Sequence, residues 1–421
     1  MGEAYANLPK ALIPIGGKPV LQHQLELAKG AGVAGVSVFA GHLADQIEAF
    51  VGDGSRFGLQ IRVHIEREPL GNAGALVAAL DDLPGQFFVL YGDVMPAVDL
   101  TALGAFHLEQ GADFTALAHP NDHPHDSDLL ETDAEDRITS IHAYPHPAGA
   151  WFANLTNAAL YAVRCDALQP FAGAGKLDFT KDVMAGLIAR GARVLAWRST
   201  DYIKDMGSPE RLRRVDADWR AGKITNARTP RPAVFLDRDG VLNHERSFIR
   251  RPEELELISG VPAALKQLRQ AGFRLIVITN QSVIARGDAT EADVARIHAK
   301  LEWELGEGGA FVDAIYLCPH HPDGGYPGER PELKIVCDCR KPATGLIERA
   351  CRDFAIDRAQ SWMVGDQARD IEMARRAGLR SILVRSDPAT FEAAAAQQPN
   401  QIADNLTAAA ALIARGVKVA A

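Results

Sequence analysis

The chain has 421 residues, a formal net charge of −9 at pH 7, and a composition that is 47% hydrophobic and 24% charged. A chain of this length is too long to fold around one ordinary hydrophobic core, so we expect two or three domains. The acidic balance argues against a nucleic-acid partner, which would need a basic face for the phosphates. No apolar run approaches the roughly 20 residues that span a bilayer. The N-terminus lacks the pattern of a secretory signal, so we expect a cytoplasmic protein without a membrane partner.

Short apolar runs alternate with helical patterns along the whole chain, which indicates two domains of α/β architecture. The runs that predict strands buried on both faces of parallel sheets are 36–40, 87–90, 234–236, 275–279 and 362–364. The segments 261–271 and 370–377 have the apolar rhythm of covering helices. A polar stretch with two prolines at 224–232 predicts a linker between domains 1–223 and 233–421. We expect a doubly wound fold in each domain.

The N-terminal half carries two loop motifs, LPKALIPIGGKP and EREPLGNAGAL. Lys10 beside a proline could offer charge to nucleotide phosphates. Gly71 and Asn72 would let the backbone approach a flat base, since glycine lacks a Cβ. Asp93 ends an apolar strand and Asp205 precedes a helix, so the two acids could share a magnesium ion that stabilises a triphosphate. Taken singly, these features are also typical of ordinary loops and caps.

Together, the segments PKALIPIGGKP, PLGNAGAL, YGD, NAALYAV, DFTKDV and DMGSPE resemble the sugar-1-phosphate nucleotidyltransferases, which have a Rossmann-like fold. The resemblance implies phosphate contact by Lys10, base contact near Gly71 and Asn72, and magnesium binding by Asp93 and Asp205. Asn157 and Lys181 would lie near the sugar phosphate.

One feature of that family is missing, because its members open with a strand and a glycine-rich G-x-G-T-R loop that cradles the triphosphate. Neither precedes Lys10 in this sequence. We expect that the true start codon lies upstream. The alternative is that this half is a degenerate binding domain without catalytic activity.

The C-terminal half begins with AVFLDRDGVLN, in which Asp237 and Asp239 directly follow an apolar strand. Ligands of doubly wound sheets bind beyond the carboxyl ends of the strands. Two like charges at such a place repel each other unless a cation joins them, and magnesium prefers hard oxygen ligands of this kind. The pattern predicts a magnesium-dependent site.

Three further strand ends supply matching groups. Thr279 and Asn280 offer donors for a phosphoryl oxygen, Arg340 and Lys341 offer positive charge, and Asp366 ends another strand with Asp370 one turn later. Alone, each of these residues is more often a cap or a turn residue. Their conjunction at successive strand ends predicts a phosphoryl-transfer site.

These motifs resemble the haloacid-dehalogenase-type phosphatases. The resemblance implies that Asp237 is the nucleophile that forms an aspartyl-phosphate and that Asp239 is the general acid and base. Thr279 and Lys341 would bind the phosphoryl group. Magnesium would be held by Asp237, Asp366 and the backbone carbonyl of Asp239, with Asp370 as a helper.

A cluster of cysteines lies just before Arg340. Three sulfurs and one imidazole make a complete tetrahedral zinc set, provided by Cys318, His320, Cys337 and Cys339. His321 could replace His320, although the spacing favours His320, and four unligated loop residues are the plain alternative. We expect a closed, structural zinc site that positions the loop over the active site.

Within the superfamily, CPHHP, CDCRKP and ITNQSVIARG resemble the zinc-bearing, small-cap phosphatases that act on heptose 1,7-bisphosphate or histidinol phosphate, and match the heptose branch closely. Gln367 departs from that branch, which commonly has a basic residue there. The fusion implies removal of the 7-phosphate of D-glycero-D-manno-heptose 1,7-bisphosphate, then transfer of a nucleotide, with GTP as first choice, to heptose 1-phosphate. A working phosphatase with a non-catalytic partner domain and a histidinol-phosphate phosphatase are the alternatives.

Overall fold

The computed structural model describes residue 5, residues 7–325 and residues 327–416. The chain divides into two compact units. The first comprises the residues up to His119, Leu130–Ile141 and Asn157–Ala227, and the second comprises Pro120–Leu129, His142–Thr156 and the residues from Arg228 onward. Two segments that precede the predicted linker therefore belong to the second unit.

The first unit contains strands that are mostly short and helices that follow apolar periodicity. Its strands are β1 (Pro14–Ile15), β2 (Lys18–Pro19), β3 (Gly35–Ala40), β4 (Gln60–Ile65), β5 (Gln86–Leu90), β6 (Val94–Ala97), β7 (Phe114–His119), β8 (Leu129–Thr132), β9 (Ile138–His142), β10 (Thr156–Arg164), β11 (Val194–Arg198) and β12 (Tyr202–Asp205). Its helices are α1 (Val20–Gly30), α2 (Ala44–Val51), α3 (Gly71–Ala78), α4 (Leu100–Glu109), α5 (Ala185–Ala189) and α6 (Pro209–Arg220).

The main sheet of this unit has the strand order β11-β7-β10-β8-β9, and β5 also pairs with β10. β7 and β11 run parallel, whereas β5 and β10 run antiparallel. Leu103, Leu117 and Leu160 belong to the core that covers this sheet. β3 and β4 form a separate parallel pair, and β6 and β12 form a separate antiparallel pair.

The predicted strands at 36–40 and 87–90 are present as β3 and β5, but the expectation that both faces are buried is wrong for them. Most residues of both strands are only half-buried. β3 pairs with β4 alone among the described strands, so its sheet is too narrow to be covered completely. Apolar composition located these strands, whereas their burial depends on partners distant in sequence.

The second unit follows the predicted pattern closely. Its strands are β13 (Ala233–Leu236), β14 (Arg274–Asn280), β15 (Ala314–Cys318), β16 (Trp362–Gly365), β17 (Arg380–Val384) and β18 (Gln401–Ala403). Its helices are α7 (Val261–Gln270), α8 (Glu291–Glu307), α9 (Gly345–Asp353), α10 (Ala368–Arg376), α11 (Pro388–Ala395) and α12 (Leu406–Arg415). The strands form one sheet in the order β15-β14-β13-β16-β17-β18, and every pairing is parallel.

This sheet carries a hydrophobic core on each face. Val234, Leu236 and Val364 point into one core, and Phe235, Ile278 and Met363 point into the other. Because alternate side chains enter opposite cores, β13, β14 and β16 are buried on both faces, as predicted. Their carboxyl ends lie side by side at one edge, where Asp237, Asn280 and Asp366 follow or end the strands.

Among the described residues, no helix is both long enough and apolar enough to cross a membrane.

Candidate active sites

Three buried carboxylates meet beyond the strand ends of the second unit. Asp237 follows β13, Asp366 follows β16, and Asp370 lies in the first turn of α10. Each contributes an oxygen to a group whose members all lie within 4.8 Å of one another. Oδ1 of Asp366 is buried and accepts no hydrogen bond from the described residues. Acidic oxygens gathered this closely fit a hard divalent cation.

Lys341 supplies the positive charge of this cluster. Its Nζ lies 2.7 Å from Oδ1 of Asp237 and 2.7 Å from Oδ1 of Asp370, and it donates to the carbonyl oxygen of Ile278 at 3.1 Å. Burial alone would lower the pKa of Lys341, but the two carboxylates outweigh that effect and raise it. The lysine is therefore held as a buried cation beside Asp237.

The environment of Asp237 opposes its ionisation when only protein groups surround it. Burial first, and then the charges of Asp370 and Asp366, raise the pKa of Asp237 to about 8, although Lys341 acts in the opposite direction. Burial and Asp370 likewise raise the pKa of Asp366. A bound cation would offset the repulsion between carboxylates that contributes to both pKa shifts.

Asp239 is bound by a different set of groups. It accepts hydrogen bonds from Arg238, Asn243 and Gln281. Burial would raise its pKa, but the charge of Arg238 and these hydrogen bonds lower it instead. The neighbouring Gly240 has φ +77, and a Cβ there would lie 2.3 Å from Oδ2 of Asp366, so the turn between the strand and the acids requires glycine.

The polar residues at the end of β14 have different tasks. Oγ1 of Thr279 accepts a hydrogen bond from Gln281 at 2.8 Å, which leaves the hydroxyl proton of Thr279 available to a ligand. The amide of Asn280 contacts the backbone of Lys341, accepting from its N–H at 3.1 Å and donating to its carbonyl at 3.4 Å. Asn280, predicted as a phosphoryl donor, thus holds the segment that carries Lys341.

A cavity of about 240 Å³ opens over Asp237, Asp239, Thr279 and Lys341. Its wall also contains Glu245, Arg286, His321, Arg340 and Arg369. Gln367 donates to Oδ2 of Asp366 at 3.1 Å and to Thr390 at 3.2 Å. Its amide is therefore engaged in holding Asp366.

The predicted zinc ligands come together at the end of β15. Sγ of Cys339 lies 3.1 Å from Sγ of Cys318, 3.3 Å from Sγ of Cys337 and 3.2 Å from Nδ1 of His320. The four side chains form a group that could hold a metal ion, and their softness and number suit zinc. His321, the alternative ligand, instead accepts from the backbone of Asp323 and lines the cavity.

This cluster is tied to the carboxylate site through the backbone. Cys318 pairs with Asn280 across β15 and β14, and its carbonyl accepts from the N–H of Gln281 at 2.8 Å. Arg340 directly follows Cys339 and donates from Nη1 to the carbonyl of His320 at 3.1 Å. A metal held by the four ligands would fix the loop that delivers Arg340 and Lys341.

In the first unit, Lys10, Asp93 and Asp205 converge. Lys10 Nζ lies 3.2 Å from Oδ2 of Asp93. Asp205 pairs with Val94 across β12 and β6, and Met206 donates to the carbonyl of Asp93. A Cβ on Gly207 would lie 3.2 Å from Oδ1 of Asp205 and 4.0 Å from Nζ of Lys10, which places these groups around one glycine.

Each acid of this group already has a basic neighbour. Asp93 pairs with Lys10, and Oδ1 of Asp205 lies 2.8 Å from Nη1 of Arg211. Among the described residues, the groups of three or more potential metal ligands both lie in the second unit. Magnesium at Asp93 and Asp205 would therefore have to displace or join these ion pairs.

The other predicted residues of the first unit serve mainly to hold its backbone. Gly71 begins α3 with φ +78, where a Cβ would lie 2.3 Å from the carbonyl of Leu177. Asn72 donates to Asp178 at 2.8 Å and accepts from the N–H of Phe179 at 2.8 Å. Asn157 donates to Tyr161 at 2.8 Å and Thr180 at 2.9 Å. Lys181 lies in the helical segment Phe179–Met184 and is exposed.

Three residues of this site were not predicted from the sequence: Arg238 and Gln281, which contact Asp239, and His298, which contacts Arg238. Arg238 lies between Asp237 and Asp239 in the sequence. The sequence does not show that this arginine is buried, although only 1% of it is exposed. His298 lies on the buried face of α8 and is not part of a recognisable sequence motif. Its proximity to Arg238 arises from packing between elements 60 residues apart.

Comparison with known families matches both halves of the chain. The nucleotidyl transferase family model matches residues 6–221, which is just over half of the chain, and a HAD-hydrolase-like model matches residues 338–409. A D-glycero-beta-D-manno-heptose-1,7-bisphosphate 7-phosphatase from Haemophilus ducreyi is 43% identical over 159 residues, which are 37% of this chain and 85% of that protein. The protein of the same name from Escherichia coli K12 is 42% identical over 164 residues, 38% of this chain and 84% of its own length.

The chain belongs to both families. It is an enzyme that joins a nucleotidyl transferase domain to a haloacid-dehalogenase-like phosphatase domain. Among solved structures, D,D-heptose 1.7-bisphosphate phosphatase from B. bronchiseptica, complexed with magnesium and phosphate, is 32% identical and covers 44% of this chain and 99% of its own, with a TM-score of 0.39. HddC from Yersinia pseudotuberculosis is 21% identical and covers 51% of this chain and 91% of its own, with a TM-score of 0.43.

Proposed function

We propose that the domain at 233–421 removes the 7-phosphate from D-glycero-D-manno-heptose 1,7-bisphosphate through an aspartyl-phosphate on Asp237. The observation that carries this proposal is the buried cluster of Asp237, Asp366, Asp370 and Lys341, in which Asp237 and Asp366 follow the adjacent strands β13 and β16. The names of the relatives from Haemophilus ducreyi and Escherichia coli support the substrate.

The chemistry follows from the placement of the side chains. A carboxylate oxygen of Asp237 attacks phosphorus, the bond from phosphorus to the sugar oxygen breaks, and Asp239 protonates that oxygen. Water then attacks the aspartyl-phosphate and gives a proton to Asp239, and the bond from phosphorus to Asp237 breaks. Lys341 offsets the charge on the phosphoryl oxygens, and the hydroxyl of Thr279 donates to one of them.

Two metal ions belong to this proposal. Magnesium would be held by Asp237, Asp366 and the backbone carbonyl of Asp239, with Asp370 beside them, and when bound it neutralises carboxylate and phosphoryl charge. Zinc would be held by Cys318, His320, Cys337 and Cys339 in a closed site with a structural role. The buried, unpaired Oδ1 of Asp366 and the short distances within the sulfur cluster support these assignments.

The substrate is tested by comparing phosphate release from both anomers of heptose 1,7-bisphosphate with release from histidinol phosphate. The proposal predicts strong preference for one heptose anomer in the presence of magnesium. Preference for histidinol phosphate would establish the alternative activity and remove the chemical link between the two domains.

For the domain at 1–223, joined by a linker at 224–232, we infer transfer of a nucleotide to heptose 1-phosphate with release of pyrophosphate. GTP is our first choice of nucleotide, and the reaction would consume the product of the phosphatase in the same cytoplasmic compartment. Support comes from the family match and from the convergence of Lys10, Asp93 and Asp205.

The pairing of both acids with basic residues favours the alternative of a non-catalytic binding domain. Pyrophosphate release from GTP and heptose 1-phosphate distinguishes the two. Turnover supports the transferase, whereas binding of GTP without pyrophosphate release supports the non-catalytic domain.

A further inference from the structure

Arg238 is a buried charge whose contacts are almost all made to Asp239. Only 1% of the residue is exposed. Its Nη2 lies 2.8 Å from both carboxylate oxygens of Asp239, and its Nε lies 3.1 Å from Oδ1. A guanidinium that contacts both oxygens of one carboxylate fixes the orientation of that carboxylate as well as its charge.

The remaining nitrogen of this guanidinium reaches a different element. Nη1 of Arg238 lies 3.3 Å from Nε2 of His298, a residue of α8 that is 8% exposed. Because Nη1 can only donate, Nε2 accepts and the imidazole is neutral with its proton on Nδ1. Burial, and then the charge of Arg238, lower the pKa of His298 to about 3, which agrees with a neutral ring.

Two amides complete the surroundings of Asp239. Asn243 donates to Oδ1 at 2.9 Å and Gln281 donates to Oδ2 at 3.0 Å. With Arg238, these donors stabilise Asp239 as an anion in a fixed orientation. An anionic carboxylate is ready to accept a proton from water, which is its task in the second half of the reaction.

We propose that Arg238 is a positioning residue for Asp239 and that His298, outside the cavity wall, holds Arg238 in place, so that α8 controls hydrolysis of the aspartyl-phosphate. In the step affected, water bonds to phosphorus, its proton passes to Asp239, and the bond from phosphorus to Asp237 breaks. The inference rests on the proposed phosphatase mechanism. Arg238 acts by orienting the Asp239 carboxylate, and His298 acts through Arg238.

The test uses His298→Leu, which removes the acceptor for Nη1, and His298→Gln, whose side-chain oxygen can replace Nε2. Rapid mixing of the full chain with p-nitrophenyl phosphate separates formation of the aspartyl-phosphate from its hydrolysis. Nitrophenolate leaves with little protonation, so the first turnover depends only weakly on Asp239. Hydrolysis of the intermediate still needs a general base, which typically contributes about 10²–10⁴-fold.

We expect His298→Leu to keep the wild-type rate in the first turnover and to slow later turnovers by about tenfold or more, with His298→Gln close to wild type. Equal slowing of the first and later turnovers, or failure of His298→Gln to restore the rate, would show a packing role and contradict the proposal. Wild-type rates in His298→Leu would also contradict it.

Wild type and Asp237→Asn are measured in parallel. No nitrophenolate release by wild type, or undiminished release by Asp237→Asn, would overturn the phosphatase mechanism and this inference with it. A normal response of these two proteins combined with unaffected His298 variants would overturn the inference alone.

Discussion

Nζ of Lys341 lies 2.7 Å from Oδ1 of Asp237, and neither side chain is more than 6% exposed. The two residues are distant in sequence: Asp237 follows β13, whereas Lys341 lies in the loop between the cysteine cluster and α9. The prediction that Lys341 follows a strand is therefore wrong, and the loop brings it to Asp237. In the proposed mechanism, the buried amine would compensate the charge of Asp237 and would contact the phosphoryl group that Asp237 attacks.

Lys341→Met would therefore impair both stability and catalysis. Removing one partner of a buried charge cluster leaves Asp237 and Asp370 uncompensated, which typically costs about 3–5 kcal/mol. We also expect kcat to fall by about 10²–10³-fold. Urea unfolding and phosphate release measure the two effects. Lys266→Met, at an exposed position, serves as control and should change the free energy of unfolding by less than about 0.5 kcal/mol.

The pH dependence of stability reports on Asp237. A carboxyl group whose pKa is higher in the folded than in the unfolded state binds its proton more tightly when folded. Without magnesium, the free energy of unfolding should fall as the pH rises from about 4, the ordinary carboxyl value, towards the raised pKa of Asp237, about 8. Urea unfolding across this range checks the sign.

Magnesium should counter that loss, because it favours the deprotonated carboxylates. Its stabilising effect should be larger at pH 8 than at pH 6. Asp237→Asn should flatten the magnesium-free dependence. Stability that rises over this interval in the absence of metal would contradict the assigned environment of Asp237.

The cysteine cluster predicts one zinc ion per chain. Cys339→Ser should lower zinc content below half of the wild-type value and reduce phosphatase activity by at least tenfold, because Arg340 and Lys341 directly follow this ligand. Elemental analysis of the purified chain and phosphate release test this. Cys165→Ser, which alters a cysteine of the first unit, should retain full zinc. Full zinc content in Cys339→Ser would contradict the ligand assignment.

The two activities should separate by mutation. Asp93→Asn and Asp205→Asn are each expected to reduce pyrophosphate release from GTP and heptose 1-phosphate by about 10²-fold, the order of loss when a group stabilising the transition state is removed. Phosphate release from heptose 1,7-bisphosphate should stay within twofold of wild type. Asp81→Asn, at an exposed position of the same unit, should affect neither reaction. Unchanged pyrophosphate release in both variants would contradict magnesium binding at these acids.

Strand ends were the most informative part of the sequence. Asp237, Thr279 and Asp366 each follow or end an apolar run, and parallel strands bring their carboxyl ends to one edge, so their meeting could be predicted without coordinates. The cluster of three cysteines and one histidine could also be predicted, since its ligand types and spacing are typical of a tetrahedral zinc site. Both inferences depend on features that are local in the sequence.

Amide side chains were harder to interpret. Asn72, Asn157 and Asn280 lie in motifs that suggested ligand contacts, yet each makes hydrogen bonds that hold neighbouring protein groups. An amide can bond a ligand or other protein groups equally well, and each of these three amides has a partner that lies 23 or more residues away. Such partners are set by tertiary packing, as are the half-burial of β3 and the surroundings of Arg238.

The most direct test of the central claim is to look for the phosphoryl group on Asp237. The full chain is mixed with substrate and magnesium, quenched in acid within the first turnover, digested, and analysed by mass spectrometry. We expect one added phosphoryl group on the peptide that contains Asp237 and none in Asp237→Asn, while Asp404→Asn, at an exposed position, behaves as wild type. Phosphate release by Asp237→Asn at the wild-type rate, or a phosphoryl group on another residue, would contradict it.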